Sequence, residues 1–182
     1  MIESRFWRQE LRKDIRWLRV HRRYKRWSEK QLVLYERRLM LVAFQVRSLL
    51  ERPKVRWSVA NAAFECTAHT RRDTPPPNRV TLGQLWFHFD LEQPNPVSLT
   101  PLQVCNQLIH HYVMFTASQG TSFSKVSVFS DYKRDTCLYV MDVTALIELF
   151  ATFAEDSSAL TDAKIEWNAK RLDYDFVETP ES

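Results

Sequence analysis

The chain has 182 residues, 45% hydrophobic and 26% charged, at a mean hydropathy of −0.39, which suits one globular core and excludes collagen-like, low-complexity and disordered classes. No apolar run approaches the roughly 18 residues that cross a bilayer, and Met1 to Trp7 lacks the apolar centre of a secretory leader, so a single cytoplasmic domain over 1–182 is expected, and membrane association is not. Charge is uneven: residues 1–56 hold 17 Lys and Arg against 6 Asp and Glu, whereas the remaining 126 hold 9 against 16, so a basic first third is joined to an acidic remainder.

Residues 5–26 carry Arg5, Arg8, Arg12, Arg16, Arg19, Arg23 and Arg26 at steps of three and four. On an α-helix these seven occupy an arc of roughly 80°. Like charges at that spacing cost about 0.2–0.5 kcal/mol per neighbouring pair, so an uncovered row opposes the helix that carries it. Three readings follow. The row binds a polyanion, RNA or DNA, through guanidinium–phosphate contacts; it is a solvated face or one docked on an acidic protein surface, here or on a second copy in a homo-oligomer; or it lies on an anionic membrane surface. Apolar residues of the same stretch form two groups, Trp7, Leu11, Ile15 and Leu18, and Ile2, Phe6, Trp17, Val20, Tyr24 and Trp27, which predicts a helix packed on two sides.

Ser28 followed by Gln31 is a capping box, and Trp27 with Leu32 a hydrophobic staple, so a second helix starts here and ends by Pro53. Leu32, Tyr35, Leu39, Val42, Val46 and Leu49 form its core stripe, completing a basic helical region over 1–54. In the α+β body, 55–182, the alternation of Val55, Trp57 and Val59, then Phe64, Cys66 and Ala68, predicts a strand bent near Asn61. A loop follows over 71–78, then a strand over Leu85–Leu91 ended by a turn at Pro94 and Pro96. Thr100-Pro101-Leu102-Gln103 starts a helix expected to run to Ser118 and stop at Gly120. Strands at 123–130 and 136–142 form an antiparallel hairpin, Asp142 caps a helix over 143–154, and a last strand spans 172–177. The fold class is α+β: basic N-terminal helices, a small antiparallel sheet and two further helices.

Two glycines, Gly83 and Gly120, are too far apart for a phosphate-cradling loop, and Cys66, Cys105 and Cys137 are too scattered for a disulfide frame or a zinc site, so no cofactor or metal is expected. On the third helix Gln103, Asn106 and His110 share one polar face, and His110 is a candidate acid or base. A structural alternative has Asn106 and His110 bonded to each other or to a strand. Cys105-Asn106-Gln107-Leu108-Ile109-His110 resembles the RNxxxH form of the Rx4–6H signature of HEPN-type helical domains, many of them ribonucleases, with Cys105 standing where the motif has Arg. The resemblance covers one helix, with the preceding long helix, and implies ribonuclease or toxin chemistry at His110 and Asn106; its all-helical bundle differs from the strands read above. Arg134 or Arg56 could supply the missing cation. Lys133 and Arg134, between Asp131 and Asp135 at the hairpin tip, form a secondary basic candidate against the reading of a solvated turn. Trp57, Trp86 and Trp167 read as core, and Trp7, Trp17 and Trp27 as docking residues.

Overall fold

The computed structural model describes residues 2–23, 27–51, 55–119, 122–156 and 163–178. Helix α1 spans Ile2–His21 and α2 Glu29–Leu50, followed by the short α3, Trp57–Ala60, and strand β1, Phe64–Thr70. Then come α4 Leu85–His88, β2 Asn95–Leu99, α5 Pro101–Ile109, β3 His111–Gln119, β4 Ser122–Ser130, β5 Cys137–Asp142, α6 Val143–Glu155, β6 Ala163–Asn168 and β7 Asp173–Glu178. Five strands form one antiparallel sheet in the order β2-β1-β5-β4-β3, and β6 pairs with β7 in a separate hairpin. The expected α+β class is the fold observed.

One side of the sheet carries the main core. Val126 and Val128 of β4 and Tyr139 and Met141 of β5 meet the buried stripes of α1 (Leu11, Ile15, Leu18), α2 (Tyr35, Leu39, Val42, Val46, Leu49), α5 (Val104, Leu108) and α6 (Leu146, Ile147, Phe150, Phe153). On the opposite side Val113, Phe129 and Leu138 are covered by Phe89, with Leu82 and Leu85 beside it. Alternation along β4 and β5 divides apolar residues between these two clusters, as period-two geometry requires.

Local chemistry sets the helix starts. Ser28 Oγ accepts from Gln31 N at 3.3 Å while Ser28 N donates to Gln31 Oε1 at 2.8 Å; Thr100 and Gln103 repeat the pattern at 3.3 and 2.8 Å; Asp142 Oδ1 accepts from Ala145 N at 2.8 Å. The expected starts of α2, α5 and α6 hold, as do the 123–130 and 136–142 hairpin and a strand near 172–177.

Elsewhere tertiary contacts override local pattern. The helix expected to run from Thr100 to Ser118 is α5 and ends at Ile109, because His110 adopts φ −100°, ψ 28° and the run that includes Val113, Met114 and Phe115 pairs with β4 as β3. A continuous apolar run suits a strand covered on both faces as well as a helix. The expected stop at Gly120 falls outside the described residues. Val55–Ala60 is no strand: Asp156 binds the Arg56 N–H at 2.9 Å, immediately ahead of α3. Leu85–Leu91 is α4 followed by a single bridge from Phe89 to Arg71. His88, 1% exposed, anchors this cover segment through Pro75 O at 3.1 Å and Thr81 Oγ1 at 2.9 Å. The expected Pro94–Pro96 turn includes strand β2, where the sheet edge tolerates the missing Pro96 N–H. Strand β6 carried no expectation.

Five of the six tryptophans depart from their expected roles, and Trp7 is the exception. Trp57, Trp86 and Trp167 are 42%, 65% and 55% exposed, because the first two sit on one-turn helices and the third on the separate hairpin against Tyr174, ring centroids 5.1 Å apart. Trp17 and Trp27 pack on the main core, where Trp27 lies 3.5 Å from the Phe123 ring. Trp7 is 37% exposed. Of the second apolar group on α1, Phe6 and Val20 also stay exposed, whereas the Ile2 side chain and Tyr24 lie outside the described residues. No described helix is long and apolar enough to cross a membrane.

Candidate anion-binding groove

Helix α1 lies between α2 and α6. Toward α2, Asp14 is bound by Arg38, with Gln45 Nε2 donating to it at 2.8 Å, and the Arg38 guanidinium sits 5.0 Å from the Trp17 ring centre. The arginine side of α1 turns toward α6. Arg22 donates to Thr144, Arg19 binds Glu148 with contacts of 2.9 and 3.1 Å, and Arg8 feels the charge of Asp156. These positions run in opposite directions along the two helices, so the seam is antiparallel; Arg22 and Arg19 hold one end by polar contacts, and the charge of Asp156 acts on Arg8 at the other. Between them lies a groove of about 290 Å³ lined by Arg12, Ile15, Arg16, Arg19, Ala151, Ala154 and Glu155. Two alanines on α6, three residues apart and on one face, leave this space where larger side chains would close it.

The seven-arginine helix expected from the spacing is therefore divided. Arg5, Arg8, Arg12, Arg16 and Arg19 lie on α1; Arg23 is past its end, in an isolated bridge with Ser122, because the Phe123 N–H donates to Arg22 O at 2.9 Å; Arg26 lies outside the described residues. Arg8 is 7% exposed, and burial lowers its pKa against the raising effect of Asp156. Arg5, Arg12 and Arg16 are exposed, and none has an ion pair among the described residues. The four neighbouring pairs along Arg5, Arg8, Arg12, Arg16 and Arg19 oppose the helix by roughly 1–2 kcal/mol. Glu148 and Asp156 relieve the two ends of the groove and leave Arg12 and Arg16 at its centre. An acidic surface of this chain was one expected covering for the row, but these particular acids were not singled out. The signal was present: Glu148, Glu155 and Asp156 are the only acids in an apolar segment, spaced seven and one apart.

The second candidate cluster sits where α2 meets α5. Arg47 of α2 comes within 2.8 Å of His110 through Nη1 and Nε2 and holds Glu51 Oε1 at 2.6 Å through Nε. A guanidinium has only donors, so His110 Nε2 accepts and the ring proton is on Nδ1. Asn106 and His110 do share one end of α5, yet their side chains do not bond each other; Asn106 Oδ1 is buried without a hydrogen-bond partner, and Gln107 makes the strand contact, accepting from Ser130 N at 3.2 Å. Neither expected cation is the one on His110. Arg56 binds Asp156 at 2.8 Å, and Arg134 pairs with Asp131 at 3.4 Å and lies 5.4 Å from the Tyr112 ring centre. Burial pushes the Cys105 thiol up to about 12, with nearby Arg47 opposing the shift. At the hairpin tip Lys133 sits 5.8 Å from the ring centre of exposed Tyr132, and Asp135 lies 4.0 Å from Arg71, so the four alternating charges are drawn into local contacts.

No group of three or more His, Cys, Asp and Glu able to hold a metal occurs among the described residues. No family model, curated protein or solved structure matches the chain.

Proposed function

We propose that the protein is a non-enzymatic binder of nucleic acid, RNA or DNA, that grips backbone phosphates along the α1–α6 seam through Arg12 and Arg16, with Arg5 as an outlying contact. The observation that carries this reading is the pair of exposed arginines at the rim of an open groove, without ion-pair partners among the described residues, while Glu148 pairs with Arg19 and the charge of Asp156 acts on Arg8. A phosphate chain lowers the cost of like charges along α1 and gains charge-assisted bonds. Binding through phosphates alone carries no base readout and weakens steeply with salt. The test is fluorescence anisotropy with a labelled oligonucleotide at several salt concentrations, comparing the unaltered protein with Arg12→Glu/Arg16→Glu. Loss of two phosphate contacts lowers the salt slope on a single strand by about 1.4. Unchanged affinity and slope in the double variant refute the proposal.

A second reading, a divergent HEPN-like ribonuclease or toxin, is favoured by one observation: Arg47 supplies, from the neighbouring helix, the guanidinium that Cys105 does not. Here His110 moves the proton and Arg47 stabilises phosphorane charge. RNA degradation by purified protein that persists in His110→Ala and in Arg47→Ala removes this reading.

A further inference from the structure

We infer that the α1–α6 groove holds an unstacked nucleobase, so that its ligand is single-stranded nucleic acid and not a duplex; the inference rests on the nucleic-acid reading above. The lining has two parts of different chemistry. Its floor is apolar: Ile15, Ala151 and Ala154 are 2%, 6% and 1% exposed. Its rim is charged, with Arg12, Arg16 and Arg19 on α1 facing Glu155 on α6.

A phosphate chain uses the arginines alone. It has nothing to place on an apolar floor, and the Glu155 carboxylate repels it. A nucleotide matches both parts. Its phosphate meets the guanidinium groups, its flat ring system covers Ile15 and the two alanines, and a ring or exocyclic N–H donates to Glu155, as amino groups of bases donate to carboxylates elsewhere. The volume of about 290 Å³ lies at the lower limit of small-ligand pockets, so it suits one base with its sugar. In a duplex the base faces are stacked and their pairing edges occupied, so filling this floor would require flipping a nucleotide out at a cost of a few kcal/mol. A single strand meets a much smaller cost. An α1 arginine laid over the outer face of the ring adds stacking that tolerates any base.

The test uses the full chain without alteration and three labelled DNA probes of equal length: a mixed-sequence single strand, the same strand in a duplex, and a strand of abasic sites with the same number of phosphates. Anisotropy titrations at one salt concentration are expected to show the base-bearing single strand binding about tenfold or more tighter than the abasic strand or the duplex, in line with about 1–3 kcal/mol per stacked base. An abasic strand or a duplex that binds within twofold of the base-bearing strand overturns the inference and leaves the phosphate-binding proposal standing. No binding by any probe, nor by the same single strand made as RNA, overturns both. Ala151→Leu, which fills the floor, is expected to reduce the preference for bases over the abasic strand to within twofold. Because the probe comparison is made on the unaltered protein, the inference stays falsifiable even where that variant folds poorly.

Discussion

Asp156 ties three elements together and sets which arginines remain available to a ligand. Its side chain is fully buried, with Oδ2 accepting from Arg56 N at 2.9 Å and Oδ1 from Arg56 Nε at 2.8 Å, while its charge acts on buried Arg8. Asp156→Ala leaves the Arg56 N–H without this acceptor and removes a counter-charge that acts on Arg8. Removing one member of a buried ion pair costs about 3–5 kcal/mol. The Arg56 side chain is 45% exposed and regains water, which places the expected loss at the lower end, about 3 kcal/mol. Arg56→Ala is milder, about 1–2 kcal/mol, because the carboxylate keeps the backbone N–H and the nearby Arg8 charge. Urea denaturation followed by circular dichroism reads both. With a denaturant slope of about 2 kcal/mol/M, Asp156→Ala lowers the midpoint by about 1.5 M and Arg56→Ala by about 0.5–1 M. A drop below about 0.5 M for Asp156→Ala, or equal drops for the two variants, refutes the assignment of Asp156 as the charge that balances the buried end of the arginine row.

Glu148→Gln releases Arg19 from its ion pair, so oligonucleotide affinity rises and the salt slope steepens by about 0.7 on a single strand; an unchanged slope in the anisotropy titration argues against Arg19 at the groove. Burial holds Cys105 up to about 12, so this thiol keeps its proton in the folded protein while the unfolded chain releases it near pH ~8.5. Its contribution is complete below that pH and falls as pH rises toward 12, by about 2 kcal/mol between pH 8 and 10; because burial also raises Cys66, the Cys105 share is read as the part of the pH dependence of the urea midpoint that Cys105→Ala removes. Thr100→Ala removes the side-chain oxygen that caps α5 and costs about 1 kcal/mol, read from the same denaturation curves; a neutral change indicates that packing alone holds that helix start.

Residues within a few positions of each other determined the helix starts and the hairpin. Ser28 with Gln31, Thr100-Pro101 with Gln103, and Asp142 place their acceptors on nearby backbone N–H groups whatever lies farther away, and the turn from Asp131 to Asp135 joins two β-rich runs into a hairpin. Length, composition and these signals were sufficient for the α+β class. The helix ends and the choice between strand and helix for apolar runs were decided by distant partners: β4 draws Val113 and Met114 out of the helical pattern, Asp156 organises the chain ahead of α3, and His88 fixes the cover segment through two bonds. The candidate site divides in the same way. Periodicity alone placed Arg5, Arg8, Arg12, Arg16 and Arg19 on one helical face, because rotation per residue is a local property. Which of them are balanced by acids depends on α6, some 130 residues away in the chain, and the groove exists only because Ala151 and Ala154 fall opposite Arg12 and Arg16. Arg47 beside His110 is likewise a contact across 63 positions. Spacing along one helix can align charges, but only packing between helices determines their partners, since partner choice depends on the distance between side chains and on the water that burial removes.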